Sequence, residues 1–228
     1  MSERLSTILN GLNHKAALKQ EVYDITVKCF SELRSCVADI QDELAPKILP
    51  ENASVEVIMS DYGDFEFHLK FSGDTIVFIM HTNVFTFPPT HPSRRTDYIR
   101  SNPNLGYFGM IQIYNFLSDS IKYNRLSDEG YQLARIFINQ EGNFFVEGKR
   151  KLGFIFNDVS KNKLTRKHMQ TIIEQCMIFC LDFDLYVPPV GSYERITVQQ
   201  KNYFNNPSGI ATGKRLGFQV VDHSKHKR

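Results

Sequence analysis

Between Leu18 and Leu44 the apolar residues recur at spacings of four and three: Leu18, Val22, Ile25, Cys29, Leu33, Cys36, Ile40 and Leu44. A helix brings residues so spaced onto one stripe, and that stripe must be buried against something. The spacing therefore predicts a long amphipathic helix over about 15–45, ended by Pro46 and Pro50. A shorter helix over about 3–11, with Leu5, Ile8, Leu9 and Leu12, is expected before it, interrupted near Gly11. Two occupants suit the long stripe. It covers the chain's own sheet, or, because the seam is narrow, it meets a helical partner in a homodimer.

The period changes after Ser54. Phe65, Phe67, Leu69 and Phe71 alternate with Glu66, His68 and Lys70, the pattern of a strand with one wet face. Ser72-Gly73-Asp74-Thr75 supplies a tight turn into residues 75–87, a run apolar on both faces and therefore central. Centring that turn on Gly73-Asp74 pairs Ser72 with Thr75 and sets Glu66 opposite His81. Further strands are expected at about 107–117, 130–139 and 144–156. The last two join through residues 140–143, which pairs Asn139 with Phe144 and places Ile136 opposite Glu147. A second long helix follows over about 165–186, with Thr165 as N-cap, Leu164 and Met169 as a hydrophobic staple and Pro188-Pro189 as the stop.

These elements define an α+β fold: a mainly antiparallel β-meander sheet, over about 55–157, flanked by a long N-terminal helix and by a second long helix after the sheet. Residues 1–187 form that domain. Residues 188–228 read as a C-terminal extension with short strands near 195–199 and 216–221 and a basic, mobile end.

Charge is distributed unevenly. Residues 1–64 hold 6 Lys+Arg against 11 Asp+Glu, whereas residues 65–228 hold 21 against 14, so the anionic partner is sought in the second part. No apolar run approaches the roughly 18 residues of a membrane span, and the first residues lack a signal-peptide pattern, so a cytoplasmic protein without membrane attachment is expected. Cys29, Cys36, Cys176 and Cys180 fall on the two helices without a close CxxC pair. They read as reduced core residues rather than a zinc site or a disulfide framework.

Four arrangements invite a functional reading. Glu147-Gly148-Lys149 resembles the end of a metal-dependent nuclease motif, in which a carboxylate holds the ion and the lysine orients water. It needs a second carboxylate. Asp128 lies roughly 26 Å along the strand at about 3.3 Å per residue, so Asp61, Asp64 or Asp97 would have to arrive from elsewhere. Otherwise Glu147, Lys149 and Lys151 are alternating solvent-face charges. Glu66, His68 and His81 gather on one sheet face in the expected register and form an alternative metal set, against a Glu66–His81 hydrogen-bonded pair. Gly209–Lys214 lacks the spacing of a phosphate loop and reads as a glycine-rich bend.

The fourth arrangement is preferred. Lys149, Arg150, Lys151, Lys161, Lys163, Arg166 and Lys167 face only Glu147 and Asp158 over the same stretch. Those from Lys161 onward crowd a helix start, where cations oppose the macrodipole unless an anion converges there. Arg94, Arg95 and Arg100 lie in the long loop 88–106, which has four prolines, and extend the basic set if the fold brings them near. The expected function is a non-catalytic binding or interaction domain for an anionic partner, nucleic acid ahead of another polyanion, with no resident cofactor. The alternatives are a metal-dependent hydrolase or nuclease, and a structural homodimer.

Overall fold

The computed structural model describes residues 2–149, 151–184 and 198. Its helices and strands are α1 (Glu3–Gly11), α2 (Ala17–Leu44), β1 (Val57–Asp61), β2 (Glu66–Phe71), β3 (Asp74–Thr86), α3 (Asp97–Ser101), β4 (Tyr107–Leu117), α4 (Ser118–Lys122), β5 (Tyr131–Ile138), β6 (Phe144–Gly148), α5 (Leu152–Ile155) and α6 (Arg166–Leu181). The six strands form one antiparallel sheet in the order β1-β2-β3-β4-β5-β6, the meander expected of an α+β fold.

Strand alternation sorts the side chains onto two faces. Phe67 and Leu69 of β2, Ile76 and Phe78 of β3, Ile111 and Ile113 of β4, Ile136 of β5 and Phe144 of β6 point to one of them. There they meet Phe30, Leu33, Val37 and Ile40 of α2 and Ile172, Ile173 and Cys176 of α6. Each such side chain contributes about 1.5–3 kcal/mol through the apolar surface it removes from water. The stripe on α2 is thus occupied by the chain's own sheet and by α6: Leu33 and Cys36 are fully buried, and the face is not free for a helical partner. Ile25 and Cys29 lie at its edge, Leu44 is exposed, and Thr26 and Phe30 take interior places instead. Thr26 donates its hydroxyl to the Val22 carbonyl at 2.7 Å and faces Gly109 of β4, where a Cβ would overlap its Oγ1. Glycine there sets how closely α2 lies on the sheet.

The N-terminal helix differs. The α-helix is interrupted at Gly11 as expected, though by a π-helical turn over Leu12–Ala16 that joins α1 to α2 rather than by a loop. Leu5, Ile8, Leu9 and Leu12 remain 45–57 % exposed, so α1 does not cover the sheet.

Three further expectations are corrected. The β2–β3 turn is centred on Ser72 and Gly73 rather than on Gly73 and Asp74, so Phe71 pairs with Asp74 and Glu66 with Ile79; His81 pairs instead with Met110 of β4. The shifted turn accepts Ser72 at φ 54° and is held by Ser118, whose N–H donates to the Gly73 carbonyl at 2.8 Å. The β5–β6 turn holds five residues, Asn139–Asn143, which pairs Ile138 with Phe144 and Arg135, not Ile136, with Glu147. Buried Asn139 organises it by accepting the N–H groups of Glu141 and Asn143 on Oδ1, each at 3.0 Å. Finally, β6 stops at Gly148 and the chain turns into α5 instead of running on to residue 156. Gly148 permits the bend, because a Cβ there would lie 2.6 Å from Leu152 Cβ. The returning chain then bonds to the edge of β6, the Val146 N–H donating to the Phe156 carbonyl at 2.6 Å.

Helix α6 begins as expected. Thr165 caps it, His168 completes a reciprocal capping box, and Met169 is buried beside half-buried Leu164. It ends at Leu181, ahead of the expected residue 186. The expected C-terminal strands, the Gly209–Lys214 bend, the Pro188-Pro189 stop and Arg150 lie outside the described residues.

Candidate functional site

Among the described residues, the second face of the sheet carries no long helix. Residues 87–106 cover one end of it, where Phe87 packs on Phe108, Phe137 and Phe145 with ring centroids 4.9–5.7 Å apart. Ile99 and Leu105 complete this smaller core. Tyr98 ties the loop to the β5–β6 turn: its hydroxyl donates to Glu141 at 2.6 Å and accepts from the Asn139 amide at 3.0 Å. Burial, followed by the Glu141 hydrogen bond, pushes the Tyr98 phenol up to about 12.

His91 anchors the other end of the same loop. Its ring stacks on Phe87 at 4.0 Å and reaches Glu147 of β6, Nε2 lying 3.3 Å from Oε1. Arg135, opposite Glu147 across the β5–β6 pair, donates to the other carboxylate oxygen. Thus the partners of Glu147 are a guanidinium and an imidazole, rather than the second carboxylate that a two-metal nuclease requires. Asp61 lies beside Arg34 and Asp97 beside Arg100, and the Asp64 carbonyl accepts from Arg34, all on other elements.

The other metal set is also taken apart. Glu66 hydrogen-bonds His68, two residues along the same strand, at 2.7 Å, and Tyr62 stacks on the buried imidazole at 3.9 Å. His81 accepts the Asn83 N–H on Nδ1 instead. Among the described residues, no group of three or more His, Cys, Asp or Glu side chains is placed to hold a metal ion.

The basic residues fall at the two ends of α6. Lys149 and Lys151 border a shallow cleft with Gln175, Ile178 and Asp182, near its C-terminal end. Lys163, Arg166 and Lys167 stand at its start, roughly 14–24 Å away along the helix at about 1.5 Å per residue. Arg166 is engaged by Asp39 of α2, and Lys161 lies 3.3 Å from Asp158. The helix start is closed by its own cap: the His168 N–H donates to Thr165 Oγ1 at 3.4 Å, and the Thr165 N–H donates to the His168 ring at 3.3 Å. The basic residues are thus divided between the two ends of α6. Arg94 packs on Gly106, Arg95 is exposed, and Arg100 lies 3.5 Å from Asp97. All three belong to the loop face.

Sequence reasoning passed over His91, Ser93 and Arg135. Each lacks a local motif; only the fold brings His91 to Glu147 across 56 positions. Comparisons with models of known protein families, with curated proteins and with solved structures gave no match. Fold and site together define an α+β protein whose meander carries helices on one face and a loop-bordered groove on the other. Among the described residues, no helix is long and apolar enough to cross a membrane.

Proposed function

We propose that this chain is an interaction domain engaging an anionic partner, a nucleic acid ahead of other polyanions, along the basic residues at the two ends of α6. The observation that carries the reading is that Lys151, Lys163 and Lys167 are exposed and have no ion pair among the described residues. Lys149 adds a further exposed ammonium at the C-terminal end of the helix. Arg166 and Lys161 contribute less, because Asp39 and Asp158 already offset them. Charges spread over the length of a helix suit an extended polyanion better than one phosphate. Affinity then comes from release of condensed counterions and weakens as salt rises.

The test is binding of single- and double-stranded DNA, RNA and heparin at roughly 50 and 200 mM salt, the span over which phosphate contacts lose most of their affinity. Wild type is compared with the double variant Lys163→Glu, Lys167→Glu. Expected are a steep loss of wild-type affinity with salt and weaker binding by the variant, its salt slope reduced by about two. Lys167 sits in the first turn of α6, where an acid is favoured by about 0.3–1 kcal/mol, so the variant stays as stable or gains slightly. A wild type that binds none of the four at low salt rejects the reading.

A further inference from the structure

A groove of about 440 Å³ opens where the 88–106 loop meets the end of β6, and it is lined by His91, Ser93, Phe145, Glu147, Gly153 and Asn157 among others. Within it, Ser93 Oγ lies 2.8 Å from His91 Nδ1, and His91 Nε2 lies 3.3 Å from Glu147 Oε1. The Ser93 N–H also points to Nδ1, at 3.3 Å. Glu147 is acceptor-only when ionised, so the hydrogen-bond network assigns the ring proton to Nε2 and leaves Nδ1 as the acceptor facing the hydroxyl. We propose that Ser93, His91 and Glu147 form a nucleophile, base and orienting carboxylate for hydrolysis of small esters in this groove.

The arrangement meets the geometric requirements of such a site. A nucleophile needs a base within about 2.6–3.2 Å, and the base needs a third group to fix its ring. Phe87 stacks on the imidazole at 4.0 Å, Glu147 takes its distal N–H, and Arg135 holds the carboxylate in turn. The hydroxyl faces Nδ1 and the carboxylate Nε2; catalysis requires only that the two ring nitrogens face different partners. Asn157 supplies an amide on the same groove, exposed and not hydrogen-bonded to any other described side chain, as the donor for a developing oxyanion. The groove volume and the Phe145 wall suit a short acyl group.

In the first step Ser93 Oγ forms a bond to the ester carbonyl carbon while its proton passes to His91 Nδ1. The carbonyl electron pair moves onto oxygen, facing the Asn157 amide. Collapse breaks the bond to the alkoxy group, which leaves as an alcohol with the Nδ1 proton and leaves the acyl group on Ser93. Water then adds to the acyl carbon, giving one proton to Nδ1; collapse returns that proton to Ser93 Oγ and releases the carboxylic acid. The net reaction consumes one ester and one water. Glu147, held by Arg135, takes up no proton in the cycle.

The same contacts hold the loop on the sheet, so the test must read chemistry. Full-length protein is treated with a fluorophosphonate, which transfers its phosphonyl group to an activated serine with loss of fluoride, and separately with p-nitrophenyl acetate. The expected result is one adduct per chain, mapped to Ser93, together with ester turnover. Ser93→Ala abolishes both, while His91→Gln and Glu147→Gln slow adduct formation about 100-fold or more. Asn157→Ala, which alters an exposed side chain, slows turnover about 10²–10³-fold. Circular dichroism and thermal melts confirm that each variant is folded at the assay temperature. No adduct on the folded wild type, an adduct elsewhere than Ser93, or rates unchanged in folded His91→Gln and Glu147→Gln overturns the proposal.

Discussion

The two faces of the sheet are closed by different means. One carries α2 and α6, whose aliphatic side chains reach into alternating Phe, Leu and Ile residues of the strands. The other is closed, among the described residues, at one end by a loop that stacks Phe87 and His91 against Phe108, Phe137 and Phe145. Beyond that loop the second face mixes polar groups with Val77 and Ile79: Tyr114 accepts from Gln112 at 2.8 Å and from Gln132 at 3.0 Å, and Glu66 is bonded to His68. A helix face is a continuous apolar strip, whereas a loop reaches the sheet at a few points and leaves gaps between them. The groove lies in such a gap. Aliphatic packing therefore concentrates on the helical side, and the polar groove on the loop side.

The largest expected effect tests that division. Leu33→Ala removes a fully buried side chain between α2 and the sheet and should cost about 2–5 kcal/mol in chemical denaturation. Phe87→Ala on the half-buried loop face should cost less, within the ~0.5–3 kcal/mol common to single substitutions, and should speed proteolysis within 88–106. Equal losses with no change in cleavage would erase the distinction.

A smaller effect is expected where α2 approaches β4. Gly109→Ala drives a methyl into Thr26 and should cost about 1–3 kcal/mol, although alanine alone suits a strand better than glycine. Adding Thr26→Ala should recover part of that loss. Additive losses in a double-mutant cycle would show that the two residues do not meet.

Capping should weigh less again. Thr165→Ala removes the acceptor of the His168 N–H at the start of α6 and should cost about 1 kcal/mol, measured by thermal melting.

The loop face also carries a pH signature of its own. The Tyr98 phenol is raised in the folded protein, so folding favours its neutral form. Its contribution is complete below the ordinary tyrosine range near 10 and is lost as pH rises through about 12. Tyr98→Phe should flatten the fall in stability over that window, read by denaturation at stepped alkaline pH. An unchanged fall would place its cause elsewhere.

Local order was legible wherever neighbours within a few residues decide it. The spacing from Leu18 to Leu44 marks α2, the alternation from Phe65 to Phe71 marks β2, and Thr165 before Met169 marks the start of α6. Identical reasoning applied to Leu5, Ile8, Leu9 and Leu12 finds a helix but not its surroundings, and those residues stay exposed. Periodicity identifies an apolar face and leaves open what meets it. Register was less legible still. Ser118 closing on Gly73 and Asn139 folding over its own turn shift two hairpins by two and one positions respectively. Each shift depends on a hydrogen bond whose geometry exists only after the chain has closed. One parts His81 from Glu66, and the other gives Arg135 to Glu147.

By its residues alone, this chain determined an antiparallel meander with a long helix before it and another after it in sequence, because helix and strand periods are set by contacts a few positions apart. Strand alternation alone put Glu147 and Lys149 on one face, but β6 ends at Gly148, so Glu147 meets His91 while Lys149 borders α6. The tertiary structure decided that Asp39 meets Arg166, that the basic residues divide between the ends of α6, and that His91 and Ser93 stand over Glu147. Those meetings join residues up to 127 positions apart, and they arise from how α2 packs beside α6 and where the 88–106 loop comes to rest. No local preference encodes such distances; they follow from packing the whole chain around one sheet.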